Sequence, residues 1–88
     1  MAKDIQVSLV SADREIWSGA ASMVVAKTSV GEIGLLAGHE PMLAIVVPGE
    51  IRITGTDGQK VVAQSDEGGF LSMESDVVTV VVRDATIQ

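Results

Sequence analysis

The residues able to do chemistry are few. His39 is the single histidine of 88 residues and sits in Gly38-His39-Glu40-Pro41. As a general base it would need an orienting carboxylate and a nucleophile within hydrogen-bond reach, and this tetrapeptide matches no such arrangement. It reads instead as a loop histidine that hydrogen-bonds locally or lies in an interface. A metal site needs several histidines, cysteines or clustered carboxylates. Cysteine is absent and the acids are dispersed, so zinc is excluded and calcium is not expected. Asp57 and the Asp66-Glu67 pair read as solvated turns. Gly31, Gly34 and Gly38 lack the Gly-Lys-Ser/Thr of a phosphate-binding loop and precede no long helix. No catalytic, cofactor or metal residue is assigned, and no nucleotide site is expected.

Composition narrows the partners. Six basic and twelve acidic residues give a net charge of −6. That balance repels phosphate backbones, and no basic stripe or aromatic platform offsets it. Nucleic-acid binding is therefore not expected, nor is direct binding to an anionic lipid surface. No apolar run is long enough for a membrane-spanning helix, and the N-terminal Met-Ala-Lys-Asp-Ile-Gln-Val has no signal core. The length suits one domain over residues 1–88.

The elements that must position these residues are strands. Ile5, Val7 and Leu9 alternate with Gln6, Ser8 and Val10, the period of a half-buried strand. Residues 14–18 and 20–28 read as two further strands split by Gly19. Residues 43–47 form a short apolar run closed by a turn at Pro48-Gly49. Ile51 and Ile53 point inward from residues 50–55. Thr56-Asp57-Gly58-Gln59 suits a hairpin with a type I′ turn, and residues 59–65 return. Residues 69–73 and 77–83 make a last pair around Glu74-Ser75-Asp76. One short helical turn is expected near residues 37–42. Frequent turn signals between β-branched runs predict an all-β fold, a small antiparallel β-sandwich of short strands. Trp17 and Phe70 are expected as core anchors. Met23 and Met73 fit core or interface, and Met42 an interface or its margin.

Several segments together resemble the epsilon subunit of F-type ATP synthases, called delta in mitochondria. Val10-Ser11 followed by Ile16-Trp17-Ser18-Gly19 is similar to the family's opening. Gly31-Glu32-Ile33-Gly34-Leu35, Gly38-His39, Pro41-Met42 and Pro48-Gly49-Glu50-Ile51-Arg52-Ile53 resemble its central loop and the strand after it. Gly68-Gly69-Phe70-Leu71 and Val78-Thr79-Val80 resemble its closing segments. Each is weak alone, but four in order across nearly the whole chain are specific. Departures are Ala37, where the family usually has proline, and Glu40 and Glu50, where it has small or apolar residues.

The resemblance implies the N-terminal β-sandwich domain of a non-catalytic rotor subunit in the central stalk. It implies the gamma subunit and the membrane c-ring as partners, with the membrane reached only through that ring. Location at the cytoplasmic face of a bacterial plasma membrane, or an equivalent energy-transducing membrane, follows. Ser29, Gly31 and Glu32 match positions that face the c-ring; Ser11, His39, Met42 and Ala44 match positions at or beside gamma. The family usually continues into two helices. Residues 85–88 carry no helical period, so inhibition of ATP hydrolysis by an inserting helix is not expected of this chain. The rival class is a lipoyl or biotinyl carrier domain, which is also acidic, all-β and of similar size. It needs a lysine at a tight hairpin tip, commonly in Met-Lys-Met or Asp-Lys-Ala; Ala26-Lys27-Thr28 and Gln59-Lys60-Val61 fit neither.

Overall fold

The structure, a computed structural model, describes residues 4–88. Residues 1–3, part of the N-terminal stretch read above for a signal core, lie outside the described residues. Eight strands follow in chain order: β1 (Ile5–Val10), β2 (Glu15–Thr28), β3 (Gly31–Leu35), β4 (Met42–Gly55), β5 (Lys60–Ser65), β6 (Gly69–Glu74), β7 (Val77–Val82) and β8 (Thr86–Ile87). No helix forms among the described residues, so the fold is all-β as the alternation predicts. The helical turn expected near residues 37–42 is a β-turn: His39 N–H donates to the Leu36 carbonyl at 3.2 Å. Gly38 occupies its third position at φ +86°, where an L side chain would be strained.

The strand order is β3-β2-β1-β7-β6-β4-β5-β8, with β2 also pairing β4. Two long strands tie the layers together. The first half of β2 pairs β1, and the second half pairs both β3 and β4. The first half of β4 pairs β6, and its second half lies between β2 and β5. Gly19 and Pro48-Gly49 therefore do not end strands, as the sequence suggested; they lie inside 14-residue strands. Pro48 falls between the stretch that pairs β6 and the stretch that pairs β5. A residue without an N–H is tolerated where the ladder changes partner.

One pair departs from the antiparallel expectation: β1 and β7 run parallel, with Val7 opposite Val78 and Val10 opposite Val81. Hairpin turns reveal only pairs adjacent in sequence. A parallel pair needs a long connection, and here nearly the whole chain supplies it. The type I′ turn also moves. Ser75 and Asp76 both have positive φ (51° and 62°), whereas in the Asp57-Gly58 loop only Gly58 does. The C-terminal residues add β8 as an edge strand on β5.

The core lies between the layers. Ile5, Val7 and Leu9 of β1 meet Val78 and Val80 of β7, Leu71 and Met73 of β6, and Ile51 and Ile53 of β4. All are at most 1% exposed. Trp17 is half-buried against this cluster. Phe70 is not the expected core anchor: it points outward and is 59% exposed. The Gly68-Gly69 motif is fixed by close approach. A Cβ at Gly69 would fall 1.9 Å from the Val81 carbonyl oxygen, and one at Gly68 would fall 2.2 Å from that of Val46.

Candidate functional site

The β2–β3 hairpin gathers Ser29, Gly31 and Glu32 at one tip. Ser29 and Val30 form the turn, and Val30 is 87% exposed. Thr28, buried beneath it, fixes its shape. Its hydroxyl donates to the Gly31 carbonyl at 2.7 Å and accepts the Val30 N–H at 3.3 Å. The Ser29 N–H donates to the Ile45 carbonyl at 3.0 Å, tying the tip to β4. An apolar side chain thus stands on a hairpin clamped from within and from beside.

Glu32 is already engaged inside the chain. It lies opposite Lys27 in the β2–β3 register, and its carboxylate meets the Arg52 guanidinium at 3.2 Å. Both side chains are about half exposed, so the pair contributes only about 0.2–1 kcal/mol to stability. Its use is to hold the carboxylate in place. The exposed end of the tip is Val30, which sequence reasoning missed because an isolated apolar residue beside Gly31 carries no motif.

The other candidates are spread along the layer made by β1, β7, β6 and the first half of β4. Ser11 follows β1. Its N–H donates to the Arg14 carbonyl at 2.8 Å, and its hydroxyl lies 3.1 Å from Asp13 Oδ1. It closes the β1–β2 turn. His39 is exposed, with Nδ1 2.8 Å from the Glu40 carbonyl oxygen. It lies at the opposite end of the layer, near the start of β1, so β1 separates it from Ser11 by about 17 Å at ~3.3 Å per residue. Met42 and Ala44 lie on the inner face of β4, opposite Met73 and Leu71, and are half-buried. The outward residues of this stretch are Leu43 and Ile45, 75% and 58% exposed.

Register places Ile45 opposite Phe70, Phe70 opposite Val81, and Val81 opposite Val10. That is one apolar row straight across four strands. The next row is Leu43, Ser72, Thr79 and Ser8, uncharged throughout. Ala12 extends the first row into a shallow groove, and the Glu67–Arg83 ion pair (3.1 Å) stands at its rim. Contiguous exposed apolar surface of this kind marks a contact site. The sequence hides it because residues 42–47 and 77–82 are apolar on both faces apart from Thr79.

Neither carrier-type lysine stands at a hairpin tip: Lys27 is inside β2 and Lys60 opens β5. Among the described residues no group of three or more metal-ligating side chains converges. Gly31 and Gly34 fall in β3 and Gly38 in a turn. The described residues offer two shaped surfaces.

The model of the family described as ATP synthase, Delta/Epsilon chain, beta-sandwich domain matches residues 4–88. The chain belongs to this family. The ATP synthase epsilon chain of Micrococcus luteus is 48% identical over 84 residues, covering 96% of this chain and 91% of that one. The epsilon chain of Corynebacterium diphtheriae is 51% identical over 83 residues, covering 93% and 67%. Among solved structures, the cryo-EM structure of the Euglena gracilis mitochondrial ATP synthase, OSCP/F1/c-ring in rotational state 1, contains a chain of the same fold. It superposes with a TM-score of 0.89 at 27% identity, over 96% of this chain. This chain spans about half, 53%, of that Euglena chain.

Proposed function

We propose that residues 1–88 form one non-catalytic domain of the central stalk of a proton-translocating F-type ATP synthase. In this reading the clamped β2–β3 tip, with Ser29, Val30, Gly31 and Glu32, rests on the c-ring. The apolar row through Ile45, Phe70 and Val81 packs beside the gamma subunit, with Ser11 next to the row and His39 at the opposite end of the same layer. Met42 and Ala44 support that face from within. The domain then clamps gamma to the ring, so that rotation driven by proton flow reaches the head. It is peripheral to the energy-transducing membrane, on the side of the catalytic head, which in bacteria is the cytoplasmic face.

The observation that carries this reading is the family match over residues 4–88. The Euglena neighbour was solved within an F1 and c-ring assembly. The geometry supports the same role. Individual exposed pairs such as Glu32–Arg52 are weak, so torque requires a stiff body with surfaces that fit by shape. Two layers sharing β2 and β4 supply the stiffness.

The test is co-purification. Tagged chain, incorporated in its own cell and extracted in mild detergent, is expected to bring down gamma and subunit c together. Recovery of the folded chain with neither would overturn the assignment.

A further inference from the structure

We infer that Asp76 is a positioning residue that buckles the Leu36–Pro41 loop onto the β6–β7 turn, making loop and turn a single rigid contact element. The inference deepens the gamma-docking reading above and rests on it for its functional half.

Three observations converge on this residue. The Asp76 carboxylate accepts the Gly38 N–H at 2.8 Å, across a separation of 38 residues. The Asp76 carbonyl accepts the Gln6 N–H at 2.9 Å. One residue therefore ties the start of β1, the β6–β7 turn and the loop before β4. Its backbone also sits at φ +62°, next to Ser75 at +51°. Two-residue turns with both angles positive favour Asn-Gly, Asp-Gly or Gly-Gly. A Ser-Asp turn gives up that preference. Aspartate tolerates the left-handed region better than most residues, and the side chain is what glycine here would lack.

In the held segment Ala37 packs against the core, and the other residues are exposed, Leu36 by 55%. The His39 N–H to Leu36 carbonyl bond closes the turn on itself without fastening it to the body. The Gly38 N–H to Asp76 bond does fasten it. A hydrogen bond to a charged acceptor is stronger than a neutral one, so this bond sets where His39 and Leu36 stand relative to the apolar row. A partner that meets a pre-shaped loop avoids the entropy of ordering it.

The experiment uses the 88-residue chain with three substitutions, read by amide exchange at Gly38 and by affinity for purified gamma subunit. Asp76→Gly relaxes the backbone and removes the carboxylate. Gly38 exchange is expected to rise about tenfold, with gamma affinity falling several-fold. Asp76→Asn keeps an acceptor oxygen but not the charge and should fall between the parent and Asp76→Gly in both readouts. Ser75→Gly softens the same turn without touching the carboxylate and should match the parent in Gly38 exchange. Unchanged Gly38 exchange in Asp76→Gly overturns the inference, as does a Ser75→Gly variant whose Gly38 exchange rises like that of Asp76→Gly. If the parent chain binds no gamma, the docking reading falls, and Gly38 exchange still decides the buckle.

Discussion

Thr28 is buried at the base of the β2–β3 hairpin, with its hydroxyl bonded to both arms of the turn. Thr28→Val keeps the shape and removes both bonds. Loss of stability of about 1–3 kcal/mol is expected, because the Gly31 carbonyl and Val30 amide lose their shared partner. Urea denaturation of parent and variant measures it. Equal midpoints would show that water replaces the hydroxyl without cost. Glu32 stood out from the sequence because the loop Gly31-Glu32-Ile33-Gly34 resembles the family's. Thr28, Val30 and Asp76 did not. Their importance comes from partners brought near by folding: Gly31 across a turn, Ile45 beside the tip, and Gly38 far along the chain.

At the scale of elements, β4 shows both what alternation reveals and where it stops. Ile51 and Ile53 alternate with polar Glu50, Arg52 and Thr54, so the inward face of the second half is readable. The first half is apolar at every position, and its phase is not. Its inward residues are Met42, Ala44 and Val46; beyond Pro48-Gly49 they are Ile51 and Ile53. The phase flips across the proline and glycine, which read locally as a strand end. Met42 and Ala44 stood out only through the family resemblance, and the alternation could not show that Leu43 and Ile45 are the outward pair. The two faces should respond differently to substitution. Ile45→Ser and Phe70→Ser change exposed side chains and should move stability by under about 1 kcal/mol, while weakening gamma binding at least tenfold. Leu71→Ala, one residue from Phe70 and fully buried, should cost about 2–5 kcal/mol. Thermal melts beside binding titrations separate the two effects. Loss of fold in Phe70→Ser would show that this face belongs to the core.

For the whole molecule, length, charge and turn spacing indicated an all-β domain. They did not indicate how two layers are joined. Sharing β2 and β4 between layers depends on pairings across the chain, such as Val24 with Ile53 and Val46 with Gly69, and local patterns are blind to these. The resulting body places the Val30 tip and the apolar row on different parts of one rigid block. The Ser29 N–H to Ile45 carbonyl bond joins the two surfaces directly. In the role proposed above, such a block would transmit motion only with both surfaces occupied at once. The direct measurement is photo-cross-linking in the assembled enzyme, with a photoreactive side chain placed at Val30 in one variant and at Ile45 in another. Val30 is expected to give adducts with subunit c and Ile45 adducts with gamma. A variant at Asp57, on the β4–β5 turn outside both surfaces, should give neither. Adducts to c and gamma from Asp57, with none from Val30 or Ile45, would contradict the account.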